Sequence, residues 1–262
     1  MKRIILTALL GGATALAQMG PPPPGGGPRG EFRGGLLGPG GPGMHPWKVV
    51  TDAPYSAAMT EQSVETLPNN AGTITHSTTG TVARDKSGRT YVQQTFTGGP
   101  FGSQNGQKTL IFITDPVAGY SYTLDPSKMV AIQRPFKTPP AGAGNSGTHS
   151  HPKDPNVSVS TTTGGTYQNL TNIETRTMTR TVPANTMGNS ATLTSTSTVL
   201  YSPDLQIVVS STRNDPRFGQ QTYALTNIVL GDPTNVSFSV PAGYTIQTES
   251  GRGRHGFGGP PQ

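Results

Sequence analysis

Acid–base or metal chemistry in this chain would fall first to five histidines, His45, His76, His149, His151 and His255. Imidazole titrates near neutral pH and is the commonest metal ligand. His76 lies among Thr and Ser in an alternating stretch, which reads as a surface strand position. His149-Ser150-His151 puts two imidazoles two residues apart in an irregular stretch that a loop can fold together. A zinc site needs three or four preorganised ligands. The chain has no Cys, and Asp154 is the nearest acidic residue to that pair, so no metal site is assigned. A serine nucleophile needs a strained turn such as G-x-S-x-G, and phosphate binding needs a Gly-rich loop followed by Lys. Neither pattern occurs, and the Gly clusters sit beside Pro instead. Paired carboxylates for glycoside hydrolysis stay open, because their separation in space decides them. Sugar sites use aromatic platforms, however, and Trp47 is the one Trp. The reading is a protein with no assigned catalytic residue and no cofactor.

Two runs of alternating Thr stand out, at 175–181 and 192–198. Flat ranks of Thr serve ice-binding surfaces, but those need many stacked repeats of constant length. Two unequal runs fit half-exposed β-strands, where Thr is a favoured residue.

The elements that would have to position any site are constrained by composition. The 262 residues include 35 Gly and 25 Pro, close to a quarter of the chain, and only 12% charged residues. That mixture excludes an all-helical bundle, a coiled coil and a disulfide scaffold. Residues 1–17 read as a signal peptide. Lys2 and Arg3 precede the apolar Ile4–Leu10, and Ala15-Leu16-Ala17 supplies a small-x-small cleavage site. That apolar stretch is too short to span a bilayer, and no other run reaches the ~20 residues required. Export to the periplasm or beyond follows as the expectation, with no transmembrane segment left after cleavage. Residues 18–46 and 250–262 are Gly/Pro-rich and read as disordered, since they cannot bury enough apolar surface to offset their ordering entropy. A weaker segment at 137–158 reads as a flexible loop.

The formal net charge of +6 invites a nucleic-acid reading. Its location argues against one. Residues 47–135 and 164–249 together carry eleven basic and eleven acidic side chains. The excess lies in the terminal and linker segments, as a few Arg-Gly pairs. Nucleic-acid binding needs dense basic charge, so no such partner is expected.

Between 55 and 248 the sequence alternates with period two, which predicts an all-β domain over 47–249. Strands are expected near 74–82, 89–97, 108–115, 120–125, 129–134, 167–182, 192–201, 205–212, 221–230, 236–240 and 244–248. Lys108–Asp115 is apolar on both faces, as a central strand should be. Short helices near Ala57–Glu65 or Ser202–Leu205 stay open. Five Asp-Pro pairs begin at Asp115, Asp125, Asp154, Asp215 and Asp232. Asp bonds its own downstream backbone and Pro presets φ, so each Asp is read as turn-forming.

The strings APYSAAMTEQSVETL, GTVARDKSGRTYVQQTF and IFITDPVAGYSYTLDP resemble an uncharacterised family of exported, β-rich proteins of soil bacteria. So do TRTVPANTMGN, YSPDLQIVVSSTRNDPRFGQQTYALTNI and VPAGY, and together these cover most of 53–135 and 168–245. No activity comes with that resemblance. The order of a Tyr201-Ser202-Pro203-Asp204-Leu205 corner, a hairpin and a final Val240-Pro241-Ala242-Gly243-Tyr244 is similar to periplasmic lipoprotein carriers of the LolA-like fold. The resemblance implies a curved antiparallel sheet or open half-barrel, the alternative being a two-sheet β-sandwich. It also implies an acyl chain or apolar segment as ligand, bound along Leu110, Phe112, Tyr122, Leu124, Ile207 and Val209. Those same residues equally suit an ordinary core, because a sheet must bury one face. The competing reading is a structural or adhesive β module displayed on a flexible spacer, without a pocket.

Overall fold

The computed structural model describes residues 48–67, 71–97, 106–136 and 154–248. The expected signal peptide, both terminal Gly/Pro segments and His45, His149, His151 and His255 lie outside them. The described chain is all-β. Its strands are β1 (Tyr55–Thr66), β2 (Thr73–Arg84), β3 (Thr90–Thr97), β4 (Gln107–Asp115), β5 (Tyr120–Asp125), β6 (Val130–Pro135), β7 (Val157–Tyr167), β8 (Leu170–Val182), β9 (Leu193–Ser202), β10 (Ile207–Asp215), β11 (Gly219–Leu230) and β12 (Thr245–Thr248). All belong to one sheet in the order β12-β6-β5-β4-β3-β2-β1-β11-β10-β9-β8-β7. The two-sheet sandwich is therefore not what forms. Every pairing is antiparallel except β12 on β6. The edges β12 and β7 do not pair with each other, so the sheet is open.

Two runs of consecutive hairpins, β2–β6 and β7–β11, meet at β1. That strand pairs with β2 on one side and with β11 on the other. Asp-Pro pairs shape the turns after β4, β5 and β10 and the lead-in to β7. Asp115 Oδ1 accepts from the Val117 and Ala118 amides at 2.9 Å. Asp125, Asp154 and Asp215 likewise accept from the amides of Ser127, Asn156 and Arg217 two residues on. Asp232 differs, accepting instead from the Lys86 amide at 2.8 Å and so tying the β11 exit to the β2–β3 turn.

One face, here called inner, carries the larger core cluster. It gathers Tyr55, Ala57 and Met59 of β1, Val82, Val92, Tyr223, Leu225 and Ile228 with Ile207 and Val209 of β10 and Leu170 and Ile173 of β8. In a flat sheet β8 would lie three strand spacings of ~4.8 Å from β11. Yet the β7–β8 turn touches β11 directly. Tyr167 Oη and Gln168 Nε2 both donate to the Leu225 carbonyl at 2.8 Å, and Asn169 Nδ2 donates to that of Ile228 at 3.0 Å. The sheet must curl over its own inner face for this to happen. The contact falls where β11 bulges against β1 around Asn227, whose φ is +52°. A bulge interrupts the ladder and turns carbonyls toward other donors.

The outer face is buried over β4–β6 instead. Ile113, Leu124 and Ala131 are covered there by Val240 and Tyr244 of the β11–β12 connection. Strand β4 is thus apolar on both faces for a physical reason: each face meets a different layer.

Some expectations shift. Residues Ala57–Glu65 lie within strand β1, and Ser202–Leu205 forms a strand end and turn, so neither short helix forms. Residues 236–240 are not a strand but bends over the outer face. Residues 157 and 158, expected within a flexible loop, instead open β7, while 137–153 lie outside the described residues. That strand is almost wholly exposed and rich in Ser, Thr and Gly, so it carries no alternation to read.

Gly80 sits in β2 between Met59 and Gln94. A Cβ there would lie 1.8 Å from the Gln93 carbonyl oxygen, on backbone that cannot swing aside. Gly80→Ala is expected to destabilise the protein by about 1–3 kcal/mol, as overpacking does. Urea unfolding measures this, and an unchanged midpoint would contradict the close approach.

Candidate functional site

The six residues singled out from sequence do not share one surface. In register, Ile111 faces Leu124 and Ile113 faces Tyr122. Leu124 and Tyr122 therefore lie on the outer face, in the smaller cluster. Leu110 and Phe112 point the other way, Phe112 opposite Val92 and Leu110 opposite Gln94. Phe112 packs on the inner cluster, which also holds Ile207 and Val209. The phase of β5 relative to β4 sets this division, and phase between strands is not written in either strand alone. Accessibility divides the set again. Val209 is 0% and Ile207 3% exposed, sealed in the core, whereas Leu110 and Phe112 are only half-buried. Leu110 and Phe112 thus form an apolar flank, continuous with the core and reachable from solvent.

The inner face is clasped at one end by Arg84. Its Nε and Nη2 donate to the Ala53 carbonyl at 2.9 and 2.7 Å, and Nη2 also donates to the Leu205 carbonyl at 2.5 Å. The guanidinium lies 5.1 Å from the Tyr55 ring centroid. One side chain thereby ties β2 to the lead-in before β1 and to the turn before β10. Desolvation lowers the Arg84 pKa and raises that of the buried Tyr55 phenol to about 12.

The opposite end of the same face is polar. Glu61 pairs in register with Thr78 on β2 and Tyr223 on β11. One step further, Ser63 pairs with His76 and Gln221. Directly paired residues point the same way with Cβ atoms ~5 Å apart. Glu61, Ser63, His76, Thr78, Gln221 and Tyr223 therefore share one patch. Glu61 is only 5% exposed, and neither carboxylate oxygen has a hydrogen-bond partner. The Gln221 Oε1 and His76 Nδ1 atoms are also buried without partners. Desolvation pushes the Glu61 carboxyl up to about 7, and the Tyr223 phenol is raised by its own burial and then by nearby Tyr55, Glu61 and Tyr167. Native proteins rarely leave buried polar atoms unpaired, because each one costs about 1–3 kcal/mol. Four such atoms on one patch, three of them carboxylate or amide oxygens, are an unmet demand for donors.

Sequence reasoning passed over Glu61. A signal existed, since 61 continues the inward positions 55, 57 and 59 of one strand, and a carboxylate in that phase is anomalous. Arg84 follows Val82 in the same way. Gln221 carried no such signal, because the phase of β11 is set by its pairing with β1.

Among the described residues no helix is long and apolar enough to cross a membrane. No family model and no curated protein matches the chain, so the resemblance to an exported soil-bacterial family finds no support there. Solved structures to which the chain is similar include a domain from Vibrio parahaemolyticus provisionally assigned as an outer membrane lipoprotein-sorting protein. It is 7% identical, covers 70% of this chain and 87% of that one, and has a TM-score of 0.26. A β-barrel-like DUF1849 protein from Brucella abortus is 12% identical, covers 70% of this chain and 100% of that one, and has a TM-score of 0.21. Both superpose loosely, and the functional reading rests on the geometry of this chain.

Proposed function

We propose that this is a non-enzymatic binding protein of the cell envelope, which holds an apolar chain along the Leu110–Phe112 flank of its inner face. One observation carries the reading. Leu110 and Phe112 are half-buried on the face that forms the main core, while Ile207 and Val209 of the same face are fully sealed. An apolar flank that runs into a packed core but stays open at its side suits a slender ligand. Burial of a few methylenes there is worth ~0.8 kcal/mol each. The leader-like residues 1–17 and the Gly/Pro-rich residues 18–46 support an exported site of action.

The test is native mass spectrometry of gently purified protein, followed by uptake of a fluorescent fatty-acid probe. A co-purifying lipid and saturable uptake are the expected results. Leu110→Glu should weaken uptake about tenfold, since it places a charge where apolar burial is needed. Val229→Glu, at a position 60% exposed, should leave uptake unchanged. A ligand-free protein that takes up no probe would overturn the proposal in favour of a pocketless display module.

A further inference from the structure

We infer that the polar end of the inner face, built on Glu61, His76 and Gln221, is a headgroup site for a protonated amine carried on the apolar chain. This rests on the apolar-chain reading above and extends it to the ligand's other end. The patch lies on the same face as the apolar flank. In register, Glu61, Thr78, Phe96 and Lys108 form one row across β1 to β4, and Met59, Gly80, Gln94 and Leu110 form the next. Leu110 lies three strand spacings of ~4.8 Å from β1, so an amphiphile running across the strands from that flank passes Phe96 and Thr78 before its head reaches the unpartnered acceptors.

The chemistry of the unpaired atoms selects the ligand. A carboxylate and an amide oxygen only accept hydrogen bonds, and an imidazole nitrogen can accept or donate. An ammonium brings three donors, no acceptor and a positive charge. It can satisfy two or three of these atoms at once and neutralise the carboxylate. An anionic head would instead place its charge against a buried carboxyl. Among the described residues, no cation is hydrogen-bonded to either Glu61 oxygen. On the same face, Lys108 Nζ lies 3.4 Å from Asp125 and Arg213 Nη2 lies 3.7 Å from Asp215. The remaining titratable groups around Glu61 are His76 on β2 and Tyr223 on β11. Among the described residues, no three His, Asp or Glu side chains come together as a metal cluster would need.

The experiment compares dodecylammonium, dodecanol and dodecanoate at pH 8, below their micelle-forming concentrations, by isothermal titration calorimetry on the intact protein. The ammonium is expected to bind about tenfold tighter than the alcohol, as a charge-assisted hydrogen bond provides. Glu61→Gln should abolish that preference, whereas Val229→Glu, at an exposed position, should leave it intact. Equal binding of ammonium and alcohol, or a preference that survives Glu61→Gln, would overturn the headgroup site while leaving the apolar-chain reading intact. Failure of all three ligands to bind would overturn both. A Glu61-dependent uptake of Zn²⁺ or Ca²⁺ with no ammonium preference would reassign the patch to a metal and overturn the amine. Far-ultraviolet circular dichroism of Glu61→Gln shows that the variant is folded.

Discussion

Replacing Glu61 with Gln will flatten the pH dependence of stability between about pH 4.5 and pH 7. The carboxyl is buried without partners, and its pKa rises from 4.5 to about 7 through desolvation. In that window the folded protein keeps a proton that the unfolded chain releases. Unfolding is therefore favoured progressively as pH rises. Below the unfolded value the carboxyl is neutral in both states and costs nothing electrostatically. Above about pH 7 the whole penalty is present, on the order of 3 kcal/mol. Glu61→Gln removes the ionisation, so at pH 8 the variant should be more stable than the parent by about 1–3 kcal/mol. Urea denaturation at pH 5, 6, 7 and 8 measures both effects. A parent whose stability does not fall over this range would mean that the carboxylate is solvated or paired after all. A residue that weakens its own fold is the expected mark of a position kept for binding.

Arg84→Ala should be the most damaging single truncation among the buried polar residues. It strips donors from the Ala53 and Leu205 carbonyls and removes the cation from the Tyr55 ring. Losing charge-assisted bonds and leaving buried carbonyls unpaired costs about 3–5 kcal/mol. That is a large share of the ~5–15 kcal/mol that stabilises a typical domain. Arg84→Lys keeps the charge but not the planar fork, so it should recover less than half of the loss. Thermal and urea unfolding of the three proteins measure this. A loss below about 1 kcal/mol in Arg84→Ala would show that the lead-in and the β9–β10 turn are held by other contacts.

The strand content was legible wherever alternation was supported by turn chemistry. Asp115, Asp125 and Asp215 mark strand ends in the sequence and accept the turn amides in the structure. What stayed hidden is relative phase. In β11 the bulge at Asn227 takes Ile228 inward and leaves Val229 and Leu230 60% and 54% exposed, against simple alternation. The same cause separated Tyr122 and Leu124 from Leu110 and Phe112. The strand β7 was missed because Ser, Thr and Gly on an exposed edge give no apolar period. The polar patch was illegible for a further reason: Glu61, His76 and Gln221 come from three strands, and only the pairing of residue 63 with both 76 and 221 assembles them.

The seam at β1 also dictates an order of events during folding. Within β2–β6 and β7–β11, each strand pairs with its chain neighbour, so these hairpins can form early. The β1–β11 ladder instead joins residues as far apart as Tyr55 and Leu230. During synthesis one edge of β1 waits unpaired until almost the whole described chain has emerged. An unpaired strand edge is a template for wrong partners. Its alternating Tyr55, Ala57 and Met59 would invite them, but Glu61 on the same side interrupts the apolar run, as gatekeeper charges do. The residue that burdens the finished protein thus guards the nascent one.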